Sequence, residues 1–199
     1  MSGPPAEGTK PGSGPDVPRP KPRARRRGPE GDVVVFGADE QSDQPVDVDR
    51  WMTLAREALV AEGVRGEAEL SLVFVDEATI AALNERFMGA TGPTDVLAFP
   101  IDDPLLPGRW PDAGTTGPDR EEPEPADLPL LLGDVVVCPA VAARQAPERG
   151  AGYDDELALL VVHGVLHVLG HDHAEPEEAA TMRSREQELL DRFHRGEAS

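Results

Sequence analysis

Apolar residues recur along this chain in two rhythms, and each rhythm predicts a different kind of element. Alternating or β-branched apolar runs, which are typical of strands, occur at residues 32–36, 67–75, 94–100 and 130–138. Apolar residues at helical spacing occur at residues 46–63, 76–89, 139–150, 154–170 and 175–195. The most apolar of these predicted helices is DDELALLVVHGVLHVLG at 154–170.

Capping residues mark the ends of two of these helices. Asp47 or Asp49 can cap the first helix, and Gly63 can end it. Asp76 and Gly89 have the same positions around the second helix. The elements follow the order strand, helix, strand, helix, strand, loop, strand and then three helices. This order predicts an α/β (α+β) fold, a small four-stranded mixed sheet packed with about five helices.

Two segments lack apolar periodicity and set the domain boundaries. Residues 1–31 are rich in proline, glycine and arginine, with seven Lys or Arg against three acidic residues, so we expect a disordered basic tail. This tail is either a solvated extension or an arm that contacts RNA phosphates. The folded domain is predicted at 32–195, with an acidic Pro/Gly-rich surface loop at 101–129, and 196–199 form a C-terminal tail.

The composition narrows the class of protein. The only cysteine, Cys138, cannot form an intrachain disulfide, which is typical of a cytoplasmic protein. The N-terminus lacks the apolar segment of a secretory signal, and no run approaches about 18 apolar residues, so no membrane partner is expected. The formal net charge is −19, and the +4 of residues 1–31 leaves −23 for the remainder. Such a charge is unexpected for a nucleic-acid-binding domain and ordinary for a soluble enzyme.

Four of the five histidines lie within residues 159–178, LLVVHGVLHVLGHDHAEPEE. His163 and His167 are one helical turn apart on one face, where two imidazoles can bind one metal ion. Gly170 can end the helix in the left-handed conformation, and the returning chain can bring His173 to the same point. Three histidines leave a fourth position for water, which is typical of a catalytic zinc site and lowers the pKa of that water from about 15.7 toward 7.

The remaining histidines have other expected positions. His171 lies in the turn, so we expect it near the ligands or facing solvent, and we expect His194 on the surface. The spacing His-x3-His-x2-Gly-x2-His also resembles the motif of metzincin proteases. Gly164 stands where those proteases have their catalytic glutamate, so peptide hydrolysis would lack its general base.

Three segments, which follow one another in the family's order, resemble segments of the bacterial YbeY family. HGVLHVLGHDH (163–173) is similar to its His-Gly-x-Leu-His-Leu-x-Gly-Tyr-Asp-His signature. LNERFMGATGPTDVLAFP (83–100) and LLGDVVVCP (131–139) are similar to two further family segments, and Glu156, Met182 and Glu186 also fall at family positions. The resemblance covers about residues 32–195, interrupted by the loop.

The resemblance implies a function and a set of site residues. The family consists of single-strand-specific, metal-dependent endoribonucleases, hydrolases that act in ribosomal RNA processing, namely 16S rRNA 3′ end maturation in the small subunit, and in ribosome quality control. Ribosomal RNA and the small ribosomal subunit are therefore the expected partners, and DNA is not expected. The implied ligands of one Zn2+ are His163, His167 and His173, although another divalent metal is possible. Asp172 and Glu156 are candidate catalytic carboxylates that orient imidazoles or move protons.

Three residues depart from the family pattern. His171 replaces a tyrosine, Cys138 replaces a serine, and Met88 replaces an arginine that is thought to hold the RNA phosphate. Arg86 is a candidate substitute, but two residues along a helix point about 200° apart. Either Arg86 is not helical, or another cation binds the phosphate, or the nuclease activity is weak.

Two other functions remain open beside the endoribonuclease. One is a ribosome-assembly binding factor with weak or vestigial nuclease activity, which is suggested by Met88 and by the acidic domain. The other is a different zinc metallohydrolase. Cleavage of RNA that depends on metal and on His167 separates the enzyme from the binding factor.

Overall fold

A computed structural model describes residues 33–101, 129–171 and 175–196. The strands are β1 (Val33–Asp39), β2 (Ala68–Phe74), β3 (Val96–Pro100) and β4 (Leu130–Val137). The helices are α1 (Val48–Ala61), α2 (Glu77–Met88), α3 (Pro139–Glu148), α4 (Tyr153–Val168) and α5 (Pro176–Phe193). Within the described ranges, the predicted order of elements, the four-stranded sheet and the five helices are confirmed.

The sheet is mixed, as the sequence predicts. Its spatial order is β1-β2-β4-β3, with β1, β2 and β4 parallel and β3 antiparallel to β4. The pairing of β2 with β4 contains an irregularity between Glu69 and Leu70, whose partners are Leu131 and Gly133. Gly133 has φ +146°, and a Cβ there would lie 2.3 Å from the Phe99 carbonyl oxygen, so the approach of β3 to β4 requires glycine.

Local capping explains two of the helix boundaries. The carboxylate of Asp47, not that of Asp49, caps α1 by accepting a hydrogen bond from the Arg50 N–H at 3.2 Å. Asp76 caps α2 in the same way through the Thr79 N–H at 2.7 Å, and Gly89 ends it with φ +67°. These contacts satisfy backbone groups that the helix ends would otherwise leave without partners.

Helix α4 lies at the centre of the domain, in contact with α1, α3, α5, β3 and β4. Its residues between Glu156 and Val168 are mostly buried, and the apolar ones belong to the same core cluster as Val135 of β4 and the buried side chains of β2. Gly164 is the point of closest approach, because a Cβ there would lie 2.5 Å from Val135 Cγ1. A glutamate at position 164, as in a metzincin, would collide with β4, so the packing explains why that position is glycine.

A smaller apolar cluster covers the opposite face of the sheet. It joins Ile80 of α2, Leu97 of β3, Val136 of β4 and Cys138. Cys138 is fully buried, and burial raises the pKa of its thiol. The thiol therefore serves as a small apolar group at the start of α3.

His194 does not lie on the surface as expected. Its side chain is only 8% exposed, and its Nε2 lies 2.9 Å from Asp155 Oδ1. The ring also packs against Trp51, with 6.1 Å between ring centroids. The end of α5 thus docks on α1 and α4, which a position close to the C-terminus does not reveal.

Several predictions concern residues outside the described ranges. They are the basic tail at 1–31, nearly all of the loop at 101–129, Asp172 and His173, and most of the tail at 196–199. Among the helices that are described, none is both long and apolar enough to span a membrane.

Candidate active site

The two helical histidines face one another on α4. The ring centroids of His163 and His167 are 4.5 Å apart with an edge-on arrangement, and their Nε2 atoms are 3.1 Å apart. Both residues are partly buried. The predicted convergence of two imidazoles one turn apart is therefore present.

Glu186 of α5 fixes the orientation of the first of these rings. Its Oε1 lies 2.7 Å from Nδ1 of His163, and the glutamate is only 7% exposed. A carboxylate at this position accepts a hydrogen bond from the Nδ1–H group, so the lone pair is placed on Nε2, the atom that points toward His167. A carboxylate behind an imidazole is the usual partner of a metal-binding histidine, because it sets the tautomer and raises the basicity of the ligand.

The donor set fits a divalent metal such as zinc. Zinc–nitrogen bonds of about 2.0–2.1 Å place two ligands of a tetrahedral site about 3.3–3.4 Å apart. The observed Nε2 separation of 3.1 Å is close to that spacing. No group of three or more metal-ligating side chains is found within the described residues, and the third expected ligand, His173, lies outside them.

A second buried glutamate holds an arginine. Glu156 of α4 is only 1% exposed, and its Oε1 accepts a hydrogen bond from Arg149 Nη1 at 2.7 Å. Burial raises the pKa of Glu156, whereas the nearby Arg149 charge lowers it and the Asp95 charge raises it further. In the described structure the imidazole of His163 contacts Glu186, and Glu156 contacts Arg149.

Asp95 stands beside this pair at the start of β3. Its Oδ1 accepts hydrogen bonds from the Val96 N–H at 2.9 Å and the Thr94 hydroxyl at 3.1 Å. Its Oδ2 lies 4.0 Å from Arg149 Nη2. The backbone N–H of Cys138 donates to the Asp95 carbonyl at 2.8 Å, which ties this residue to the end of β4.

A cavity of about 260 Å³ connects these groups. His163 and Glu186 line it together with Asp95, Arg149 and Arg183. Apolar side chains from α4 and α5, Leu159, Leu160 and Met182 among them, complete the wall. The cavity therefore joins one histidine, two carboxylates and two guanidinium groups in a partly apolar recess, a combination suited to an anionic substrate.

Arg86 is not among the residues that line this cavity. It is an exposed residue of α2, and its guanidinium lies 5.0 Å from the ring centroid of Phe87. Arg86 and Met88 are both helical, which removes the possibility that Arg86 reaches the Met88 position through an irregular backbone. Met88 is itself 52% exposed.

His171 follows the end of α4, where Gly170 has the expected left-handed φ of +86°. Its Nε2 lies 3.4 Å from Glu62 Oε2, and the Arg185 guanidinium also binds Glu62. The side chain of His171 is 31% exposed. This cluster fastens the turn after α4 to α1 and α5.

Sequence reasoning on its own did not connect Arg149 with Glu156, or Glu186 with His163. Each pair joins different elements, and the intervening turns set its geometry. The family resemblance, which places glutamates at both positions, was the signal that could have indicated them. The catalytic roles expected for Asp172, Glu156 and Arg86 stay predictions.

The chain is similar to proteins of one family over most of its length. The family model described as Endoribonuclease YbeY matches residues 37–194. Endoribonuclease YbeY of Salinispora tropica is 48% identical over 150 residues, which cover 75% of this chain and 90% of the relative. The protein of the same name from Rhodococcus opacus is 46% identical over 77% of this chain and 79% of its own length. The one from Thermobifida fusca is also 46% identical, over 75% of this chain and 88% of its own length.

A solution structure of a Thermotoga maritima protein is similar at 21% identity, with 82% of this chain and 93% of that chain covered and a TM-score of 0.47.

Proposed function

The chain belongs to the endoribonuclease YbeY family, and on that premise we propose that it cleaves single-stranded ribosomal RNA in a metal-dependent reaction. As a member of this family it is an endoribonuclease, a hydrolase of phosphodiester bonds in RNA. The observation that carries the proposal is the 3.1 Å approach of the two histidine Nε2 atoms, with Glu186 behind His163 at the edge of a cavity that Arg149 and Arg183 also line.

The proposed metal ligands are His163, His167 and His173, with one Zn2+ per chain. When bound, the metal would supply Lewis acidity that polarises a phosphoryl oxygen and acidifies water. Glu186 holds His163 in the tautomer with a lone pair on Nε2. Three imidazole ligands, which are neutral, leave the positive charge of the ion undiminished for an anionic substrate.

The candidate catalytic residues are proposed to have different roles. Asp172 adjoins His173 in sequence and is proposed to orient its imidazole or to move a proton. Glu156 is proposed to act through Arg149, the residue that it contacts. Arg86 is the residue that the sequence suggests for binding a phosphate. Because it does not line the cavity, we propose that it contacts RNA farther from the histidines.

The proposed biological role is maturation of the 16S rRNA 3′ end and ribosome quality control, with the small ribosomal subunit as partner and the cytoplasm as location. The proposed organisation is a basic tail at 1–31, which contacts RNA phosphates, and a catalytic domain at 32–195 with an acidic loop at 101–129. A binding factor with vestigial nuclease activity is the alternative, and Met88 is the observation that favours it.

Substitution of single histidines tests the proposal. We expect His163→Ala and His167→Ala each to reduce zinc content and to abolish metal-dependent cleavage of a single-stranded ribosomal RNA fragment, because each change removes one ligand. Elemental analysis and a gel assay measure the two effects, and His194→Ala serves as a histidine control outside the cavity. Full zinc occupancy in both variants would contradict the metal assignment, whereas a wild-type protein that binds rRNA without cleaving it would favour the binding factor.

A further inference from the structure

The cavity beside His163 is a local exception to the acidic charge of the domain. Residues outside the basic tail carry a formal charge of −23, yet two arginines, Arg149 and Arg183, line this one recess. Electrostatic screening at physiological salt limits the reach of distant charges to about 8 Å. A phosphate in the cavity would therefore respond mainly to these two guanidinium groups and to the carboxylates beside them.

Arg149 is held in place but is not saturated by its partners. Its Nη1 donates to the buried Glu156 at 2.7 Å, while its Nη2 lies 4.0 Å from Asp95, beyond hydrogen-bonding distance. A guanidinium has five N–H donors, and Arg149 remains 47% exposed at the cavity wall. Donors are therefore available for an oxyanion. The buried carboxylate of Glu156 already orders the Arg149 side chain, so less side-chain entropy is lost when an anion binds.

We propose that Arg149 binds a phosphate of the RNA backbone in the cavity beside His163, with Arg183 as a second cation at its wall. This inference rests on the proposed function. Glu156 is then a positioning residue, which orients Arg149 from within the core without contacting RNA. A guanidinium can bridge a carboxylate and a phosphate through different edges, so the ion pair with Glu156 is compatible with phosphate binding.

The other candidate cation lies elsewhere. Arg86 is in α2, stacked on Phe87, and does not line the cavity. Met88, where the family pattern has arginine, cannot neutralise a phosphate. Arg149 reaches the site from the C-terminal end of α3 instead, so it supplies to the cavity a positive charge that Met88 cannot.

The test measures binding of a short single-stranded oligoribonucleotide to the full chain in EDTA, across a series of salt concentrations. The main variant is Arg149→Gln with Glu156→Gln, which keeps the net charge and leaves no buried carboxylate without a partner. We expect about a three- to tenfold loss of affinity and a salt slope smaller by about 0.7, the value for one phosphate contact on single-stranded nucleic acid. Arg56→Ala, which removes an exposed charge from α1, should leave the slope unchanged.

Arg149→Lys keeps the result decisive even where the double variant fails to fold. It should preserve the salt slope and lose part of the affinity, because an ammonium retains the charge without the forked geometry. A wild-type slope in the double variant would overturn the inference, and where that variant does not fold, wild-type affinity in Arg149→Lys would overturn it. If the wild-type chain neither binds the RNA in EDTA nor cleaves it when metal is supplied, the proposed function itself fails. Zinc content measured on protein kept free of EDTA shows whether the metal site is intact.

Discussion

Two buried glutamates hold cationic or cation-binding groups at one cavity, and their partners differ. Glu156 binds a guanidinium, which is charged at every accessible pH. Glu186 binds an imidazole, which must be neutral to serve as a metal ligand. Glu156 therefore positions the permanent charge of Arg149, whereas Glu186 directs a lone pair of His163 toward His167. The partner determines which chemistry each carboxylate supports.

The elements that carry the two pairs also differ. Glu186 approaches from α5, so its contact with His163 depends on the packing of α5 against α4. Glu156 and Arg149 are separated only by the short turn between α3 and α4, and Asp95 joins them from β3. The first pair is consequently sensitive to helix packing, whereas the second is fixed largely by local connection.

The largest expected effect comes from breaking the imidazole pair. Glu186→Ala should weaken zinc binding by about ten- to a hundredfold, because the carboxylate behind a metal-binding histidine contributes on that scale. Competition with a chelator of known affinity measures the change. Glu178→Ala, at an exposed position of the same helix, is the control, and equal zinc affinity in the two variants would show that Glu186 does not support the site.

The second expected effect comes from breaking the guanidinium pair. Arg149→Ala leaves the carboxylate of Glu156 buried without its cation, and we expect a loss of about 1–2 kcal/mol in the free energy of unfolding. This loss is smaller than the usual one for a buried ion pair that loses one partner, because Arg149 is 47% exposed and water can reach the carboxylate in its place. Urea denaturation measures the loss.

Arg144→Ala is the matched control for that substitution. Its partner Glu77 is 39% exposed, and exposed ion pairs contribute little to stability because water and salt screen them. Equal destabilisation by Arg149→Ala and Arg144→Ala would mean that the burial of Glu156 does not set the strength of the pair.

The sequence predicted those features of the site that depend on local geometry. Helical spacing placed His163 and His167 on one face, and their Nε2 atoms are 3.1 Å apart. Asp76 and Gly89 marked the ends of α2 because capping involves residues only a few positions away. The apolar pattern likewise identified each strand, although it did not define the order β1-β2-β4-β3.

Contacts between distant elements could not be predicted in this way. The surface position expected for His194 was wrong because docking of α5 on α1 brings its ring to Trp51. The place of Arg149 in the cavity depends on how the turn after α3 directs its side chain toward Glu156 and Asp95. Periodicity within one element contains no information about such packing.

The smallest expected effect is a pH dependence that distinguishes buried from exposed glutamate pairs. Burial raises the pKa of Glu156, so as the pH rises from about 4.3 the unfolded chain releases this proton before the folded chain does. The contribution of Glu156 to stability is therefore fully present below the unfolded pKa and is lost as the pH rises through the folded value. The stability of the wild type relative to Glu156→Gln should consequently decrease between acidic and neutral pH.

Glu77 provides the opposite case, because its hydrogen bond with Arg144 lowers its pKa. The stability of the wild type relative to Glu77→Gln should therefore increase over the same pH range. Urea denaturation of the three proteins at several pH values measures both trends, and trends of the same sign would contradict the assignment of burial as the dominant influence on Glu156.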